Sequence, residues 1–382
     1  MKKIIALTLS LVLLAGCLLT GTAVAEEAKK IRVVTTIFPI WDWVREVTGP
    51  EAENVELTLL LDNGVDLHSY QPTAQDILAI SSADLFIYVG GESDEWVEDV
   101  TASAMNPDLK AISLLEALGD DVKAEEIVEG MEHDHDHDHE HEHDEDHDED
   151  HDHEHDEDHD HDEDHDHDED HDEDHDEDHD HDEDHDHDED HEHEHEHEHE
   201  HEEEMDEHVW LSLRNAEKLV GVIADTLAGI DPAHADLYRA NAAACTEKLA
   251  ALDTRYAETV NAAAHKTILF GDRFPFRYLA DDYGLTYYAA FAGCSAESEA
   301  SFSTIIFLAQ KVDELGLPAV LTLEGPNTRI AETVVENTAA KNQKILAMDS
   351  MQGTTQKDIQ AGMTYLSVME ANLAVLQEAL ND

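Results

Sequence analysis

Residues 206–212, with the sequence Asp-Glu-His-Val-Trp-Leu-Ser, are the stretch around which the rest of the chain is organised. In this stretch His208 follows two acidic residues and precedes a short apolar turn, and a helix is predicted to begin directly afterwards. Far upstream, residues 66–70 (Asp-Leu-His-Ser-Tyr) carry His68 on another predicted loop. Two imidazoles, together with carboxylates from a second lobe, would suit a borderline divalent cation such as Zn²⁺. The sequence therefore predicts a metal site assembled from separate loops.

The tract at residues 133–204 contains only His, Asp and Glu, including 26 of the 30 histidines. A segment without apolar side chains buries no core, so we expect it to be disordered. Its simplest interpretation is a solvated acidic spacer. Alternating imidazoles and carboxylates also offer many weak, exchangeable sites for Zn²⁺, Ni²⁺ or Cu²⁺. We favour a metal-collecting or metal-sensing role, which makes the tract an accessory to the folded site.

The net charge of −73 excludes one class of partner. Even outside the tract, acidic residues outnumber the 21 lysines and arginines. Nucleic-acid binding needs a basic patch that neutralises phosphates, and the sequence has no such cluster. An acidic surface attracts cations instead. We therefore expect no nucleic-acid partner.

Residues 1–25 have the pattern of an export signal, because a basic start precedes a short apolar run from residue 4 to 19. That run is marginal for a membrane span. Two processing sites compete: Leu-Ala-Gly-Cys at residues 14–17 resembles a lipoprotein box, and Ala-Val-Ala at 23–25 resembles an ordinary cleavage site. We favour lipidation of Cys17. Either way we expect an extracytoplasmic protein, periplasmic or lipid-anchored to the outer face of the cell membrane.

Cys245 and Cys294 are the cysteines beyond the leader. An oxidising compartment permits a disulfide, but the sequence does not place the two residues near each other. Two small buried thiols are the interpretation that we favour.

Strand and helix patterns alternate along the chain. Before the tract, strands are predicted at residues 31–37, 54–61 and 84–89. After it, a helix at 215–230 precedes a run from 233 to 264 without Pro or Gly, which predicts a helix of about 45 Å. Four more strands and a final helix follow, at residues 267–270, 286–290, 319–323, 344–348 and 355–380.

The predicted fold class is α/β, with two doubly wound parallel-sheet lobes joined by one long rigid α-helix and interrupted by a disordered His/Asp/Glu-rich insertion. We predict five segments in chain order: a signal peptide (1–25), an N-terminal lobe (26–131 with 205–231), the insertion (132–204), the connecting helix (232–264) and a C-terminal lobe (265–382).

Four metal-capable side chains follow predicted strands. In doubly wound sheets, ligands bind beyond the carboxyl ends of the strands. His68, Asp272, Glu324 and Asp349 occupy such positions, and a cleft between two lobes would bring them to face His208. Each residue alone has an ordinary structural explanation, such as capping a turn or helix. Only the set favours a site.

Several short motifs carry a resemblance to one family. The chain resembles the cluster A-9 solute-binding proteins of ABC transporters, the zinc and manganese receptors related to ZnuA and the adhesin lipoproteins. The resemblance spans nearly all of the exported chain outside the tract. The motifs are Thr-Thr-Ile-Phe-Pro at 35–39, His-Ser-Tyr-Gln-Pro at 68–72, Ala-Asp-Leu at 83–85, His-Val-Trp-Leu-Ser at 208–212, Tyr-Leu at 278–279 with Tyr-Gly-Leu at 283–285, and Ala-Glu-Ser-Glu at 296–299.

This resemblance implies metal ligands at His68 and His208, which match the family's His-x-Tyr and His-x-Trp-Leu histidines. The family's third ligand, eleven residues before the Gly of Tyr-Gly-Leu, falls on Arg273, which stays protonated and binds no cation. We expect Asp272 or Asp349 to complete the site. Glu324 matches a glutamate common in the family, and we favour a structural role for it.

The resemblance also implies a receptor that captures Zn²⁺ between the lobes and delivers it to an ABC permease and its ATPase. Mn²⁺ is the alternative cation, because carboxylates tolerate it. A surface metal buffer or adhesin lipoprotein of the same fold is the alternative function. A hydrolytic metalloenzyme is disfavoured, since the sequence outside the tract has no His-Glu-x-x-His motif. We expect no catalysis, no organic cofactor and a monomer.

Overall fold

The computed structural model describes residues 30–49, 52–131, 204–295 and 299–381. The predicted leader, the candidate lipidation site at Cys17 and nearly all of the acidic insertion lie outside these ranges. Among the described residues, no helix combines the length and the apolar character that a membrane span requires.

The N-terminal lobe is built on a sheet of four parallel strands. The first three strands lie within their predicted ranges. The sequence does not predict the fourth, because its first two residues are exposed and it has no apolar run. The strands are β1 Ile31–Thr35, β2 Val55–Leu59, β3 Leu85–Tyr88 and β4 Lys110–Ser113. Their order across the sheet is β2-β1-β3-β4.

The C-terminal lobe repeats this arrangement with β5 Thr267–Phe274, β6 Thr286–Ala292, β7 Ala319–Leu323 and β8 Lys344–Met348. The strands are parallel in the order β6-β5-β7-β8. β7 and β8 have the predicted bounds. β5 continues past its predicted end because pairing with β6 resumes at Arg273 after an irregularity. The predicted α/β fold class with two parallel-sheet lobes is confirmed.

Helices connect successive strands, as parallel pairing requires. Before the insertion they are α1 Phe38–Thr48, α2 Ala74–Ser81, α3 Trp96–Ala102 and α4 Leu114–Leu118. After it they are α5 Leu213–Ile230, α6 Ala235–Ala262, α7 Arg277–Tyr283, α8 Phe302–Leu315, α9 Arg329–Asn337, α10 Gln356–Gln360 and α11 Tyr365–Ala379. The prediction of one final helix over residues 355–380 is wrong. A turn at Gly362, whose φ of 96° suits glycine, separates α10 from α11.

Helix α6 is the long connector, with 28 residues and a length of about 42 Å. It packs against α1 and α5 of the N-terminal lobe and against α7 and α11 of the C-terminal lobe. Asn241 donates a hydrogen bond to the Val47 carbonyl in α1, and the Tyr256 hydroxyl donates one to the Met369 carbonyl in α11. The helix is therefore fixed to both lobes.

Residues 206–212 lie at the junction of the lobes. Trp210 is fully buried, and its Nε1 donates to the Ser350 carbonyl just after β8. The Tyr365 hydroxyl of α11 donates to the Trp210 carbonyl, and the Tyr278 hydroxyl of α7 donates to the Asp206 carbonyl. The C-terminal lobe thus holds the segment that carries His208.

We expect Tyr365→Phe to lower the free energy of unfolding by about 1–3 kcal/mol, because it leaves the buried Trp210 carbonyl without its donor. Urea unfolding followed by far-ultraviolet circular dichroism measures the change. Tyr288→Phe is the matched control, since Tyr288 is half-buried on β6 and contacts Phe307 within the C-terminal lobe. Equal stability of the two variants would contradict the role assigned to Tyr365.

Candidate metal centre

His68 lies in a short 3₁₀ turn, Leu67–Ser69, that follows β2. The Asp66 carboxylate caps this turn by accepting a hydrogen bond from the His68 backbone N–H at 3.0 Å. The Nδ1 atom of His68 is 2.9 Å from the Ser93 hydroxyl and 3.4 Å from a Glu207 carboxylate oxygen. With acceptors on the Nδ1 side, the ring directs Nε2 away from them, towards His208.

His208 is fully buried at the start of a second 3₁₀ turn, Val209–Leu211. One Asp206 carboxylate oxygen lies 2.9 Å from the His208 backbone nitrogen and 3.0 Å from its Nδ1. A carboxylate at Nδ1 holds the proton there and leaves Nε2 as the free electron pair. The contact with Asp206 therefore leaves the Nε2 electron pair of His208 available to a cation.

The two Nε2 atoms are 3.1 Å apart. Two nitrogens at the usual Zn–N distance in tetrahedral geometry are about 3.3 Å apart. Because each ring has a carboxylate behind its Nδ1, the two Nε2 electron pairs face each other and repel unless a positive charge lies between them. The pair therefore has the spacing and the polarity of a cation site.

Cys294 is the third potential ligand in this place. Among the described residues, His68, His208 and Cys294 form the group of His, Cys, Asp or Glu side chains whose ligand atoms lie within 4.8 Å of one another. Cys294 follows β6 and is not joined to Cys245 by a disulfide. Sequence reasoning missed it as a ligand, although its position after a strand end is the signal that selected Asp272 and Asp349.

Acidic side chains surround the group. Glu92, Glu125, Glu204 and Glu207 line a cavity of about 270 Å³ that also contacts His68 and Cys294. Burial opposes ionisation of Glu207, but hydrogen bonds from His68 and Ser93 hold its pKa below the ordinary value. Burial and then the Glu125, Asp206 and Glu207 carboxylates raise the pKa of the Cys294 thiol far above its usual range. A divalent cation would reverse that effect on the thiol.

Asp272 and Asp349 lie outside this group. The Asp272 carboxylate accepts hydrogen bonds from the backbone N–H groups of Leu323 and Arg273, and it lines a separate cavity of about 400 Å³. The Asp349 carboxylate accepts from the Met351 N–H, and burial followed by the nearby Glu324 raises its pKa to about 6. Their assignment as ligands stays a prediction that these positions do not favour.

Glu324 has structural partners, in line with the role expected for it. Its carboxylate accepts hydrogen bonds from the Ser350 N–H and hydroxyl, both at 2.8 Å, and from the Gly353 N–H at 3.2 Å. These bonds fix the loop after β8, which contains the Ser350 carbonyl that Trp210 contacts.

Arg273 forms an ion pair across the lobes. Its Nη2 is 2.7 Å from an Asp66 carboxylate oxygen, and both side chains are mostly buried. Burial opposes ionisation of Asp66, but Arg273 and His68 hold the pKa of Asp66 below its ordinary value. The second terminal nitrogen of Arg273 donates to the Ser295 carbonyl at 3.4 Å. Arg273 therefore connects the loop before His68 to the loop that contains Cys294.

Comparison with known proteins gives consistent matches. The sequence profile of one family, described as the periplasmic component A of the zinc-uptake complex (ZnuA), matches residues 33–379. The zinc-binding lipoprotein AdcA of Streptococcus pneumoniae serotype 4 (strain ATCC BAA-334 / TIGR4) is 30% identical over 383 aligned positions, which include 99% of this chain and 61% of AdcA. The chain thus spans about three fifths of that relative. The high-affinity zinc uptake system protein ZnuA of Bacillus subtilis (strain 168) is 25% identical, with 96% and 94% covered.

Solved structures share the fold. The Zn(II)-bound ZnuA-like domain of Streptococcus pneumoniae AdcA aligns with a TM-score of 0.61 at 24% identity, covering 92% of this chain and 100% of that domain. The metal-dependent lipoprotein YcdH of Bacillus subtilis aligns with a TM-score of 0.63 at 21% identity, covering 92% and 99%. At these identities the likeness concerns the fold alone.

We expect Asp206→Asn to weaken Zn²⁺ binding by about 10–100-fold, because the charge that holds the proton on His208 Nδ1 is lost while the side-chain shape is kept. Competition with a chromophoric zinc chelator measures the affinity. Asp225→Asn is the control, since Asp225 is exposed on α5 and forms an ion pair with Arg239 at 3.1 Å. An unchanged affinity in Asp206→Asn would show that this carboxylate does not prepare the ligand.

Proposed function

Because the chain belongs to the ZnuA family of periplasmic zinc-uptake components, we propose that it is an extracytoplasmic solute-binding protein that captures Zn²⁺ between its lobes. It delivers the ion to an ABC permease that is driven by a cytoplasmic ATPase. The family assigned from the sequence motifs is thus confirmed, and the cargo and the partners are the content of the proposal.

The observation that carries the proposal is the approach of His68 Nε2 and His208 Nε2 to 3.1 Å, with acceptors behind both Nδ1 atoms. Two neutral imidazoles prefer Zn²⁺ to Mg²⁺, Ca²⁺ or Mn²⁺, which favour oxygen ligands. Mn²⁺ is the weaker candidate because Asp272 and Asp349, the carboxylates predicted to complete the site, lie outside the ligand group and accept hydrogen bonds from backbone N–H groups.

Zn²⁺ is cargo in this proposal, and no chemical step is assigned to it. A hydrolytic zinc site needs a general base beside a metal-bound water. Asp206 and Glu207, the carboxylates nearest to the imidazoles, instead lie at the Nδ1 atoms of the two rings. They orient ligands and are not placed to take a proton from a bound water.

Two further parts of the proposal concern Cys17 and the histidine-rich tract, which lie outside the described residues except for Glu204. We assign Cys17 as a lipid anchor that keeps the receptor at the membrane of its permease. We assign the histidine-rich tract a role in collecting metal near the site. Its last residue, Glu204, borders the cavity that contacts His68 and Cys294, and its carbonyl accepts a hydrogen bond from Glu125 N–H.

The test is a competitive zinc titration, read by native mass spectrometry, on the mature protein lacking residues 133–204. One tightly bound ion is expected, because the folded ligands remain. The variant that also carries His68→Ala and His208→Ala should lose it. His234→Ala with His265→Ala is the matched control, since these are the other histidines outside the tract.

If the tract deletion alone abolishes tight binding, the protein is a metal buffer in which the cleft is secondary. Retention of the tight ion by the His68→Ala, His208→Ala variant would overturn the site itself.

A further inference from the structure

The imidazole pair is incomplete as a zinc site, because zinc in proteins usually takes three or four protein ligands. Arg273, eleven residues before Gly284, is cationic and points to Asp66. Asp272 and Asp349 accept hydrogen bonds from backbone N–H groups and lie outside the ligand group. The missing ligand must therefore come from another side chain beside the two rings.

Cys294 meets that requirement. A ligand atom of Cys294 lies within 4.8 Å of those of His68 and His208. A thiolate and an imidazole nitrogen on one tetrahedral zinc ion are about 3.6 Å apart. A contraction of about 1 Å therefore suffices to bring all three donors onto one ion.

The loop that carries Cys294 packs closely against the His208 ring. Gly293 faces His208 so closely that a Cβ on it would lie 3.1 Å from two ring atoms and 2.9 Å from the Phe274 carbonyl. The Cys294 N–H donates to a Glu125 carboxylate oxygen at 3.1 Å. A side chain at position 293 would force the Phe274 carbonyl or the His208 ring to shift, so glycine lets the loop that carries Cys294 lie against His208.

Arg273 adds a second constraint on the same loop. One end of its guanidinium pairs with Asp66, which caps the turn of His68, and the other donates to the carbonyl of Ser295, next to Cys294. A single side chain thus holds the loops of two donors together. Arg273 is in this sense a positioning residue that does not touch the ion.

We propose that Cys294 is the third ligand, so that the receptor binds its cation through two imidazoles and one thiolate. The inference rests on the proposed function and names the chemistry that selects the cargo. As the sulfur–metal bond forms, the thiol proton leaves to solvent. A thiolate favours Zn²⁺, Co²⁺ and Cd²⁺ over Mn²⁺, Mg²⁺ and Ca²⁺, so the site discriminates by ligand softness.

Cobalt titration of the full mature protein tests the proposal, because a cysteine thiolate bound to Co²⁺ gives a near-ultraviolet charge-transfer band. The histidine-rich tract contains no cysteine and cannot produce that band. We expect the band in the unaltered protein and in Cys245→Ser, the matched control on α6. We expect its loss in Cys294→Ser, together with at least about tenfold weaker Zn²⁺ binding, since even residues that only support a ligand contribute 10–100-fold.

A second measurement avoids any effect of substitution on folding. Alkylation of Cys294 in the unaltered protein, followed by peptide mass spectrometry, should be slowed by Zn²⁺ and unaffected by Mn²⁺ at the same concentration. Cobalt bound without the charge-transfer band, or Cys294 alkylated equally fast with and without Zn²⁺, would overturn the thiolate ligand while leaving the imidazole site intact. Tight zinc binding by the His68→Ala, His208→Ala variant would overturn the proposed function instead.

Discussion

The burial of residues 206–212 between the lobes is the constraint on which the rest of the structure depends. The segment follows the acidic insertion, and its backbone and indole are held by Ser350, Tyr278 and Tyr365 of the C-terminal lobe. These contacts, and not the insertion that precedes the segment, therefore fix the position of His208. One contiguous apolar core runs from β1 through Trp210 to α11, so the histidine is fixed with the precision of a core residue.

Without a cation, the buried carboxylates around the two imidazoles lack a compensating positive charge. Asp206 and Glu207 are almost fully buried, and each has an imidazole as its nearest charged or chargeable side-chain partner. Burying carboxylates costs free energy unless positive charge compensates them. A divalent ion bound between the rings as proposed would supply that charge through the imidazoles, so its binding would also stabilise the fold. The acidic lining of the adjacent cavity draws cations towards the same point.

The sequence predicted the bounds of the strands and helices better than it predicted the contacts of individual side chains. The sequence predicted β7 and β8 with the bounds that they have. β7 is a short, continuously buried apolar run, as expected of a central parallel strand, and β8 keeps an apolar run after Lys344 although Lys344 and Ala347 are exposed. The rule that ligands follow strand ends selected His68, which lies beside His208, but also Asp272 and Asp349, which lie outside that group. The rule predicts the edge of the sheet and does not predict the partner of each side chain. Cys294 was not predicted as a ligand because the sequence favours two small buried thiols at Cys245 and Cys294, and it does not show that Cys294 lies beside the two imidazoles. The exposed strand β4 and the turn at Gly362 carry too little apolar pattern to be predicted.

The long helix α6 has a consequence for the rates at which the protein exchanges its cargo. A helix with buried residues in contact with both lobes, beside a core that continues across them, resists a wide opening. Small ions reach an accessible site quickly, so a tight complex of this kind owes its affinity mainly to slow dissociation. In the proposed three-ligand site, the residence time would then depend on local movement of the loops that carry the ligands. The permease proposed as the partner would then have to shorten that residence time by displacing a loop that carries a ligand.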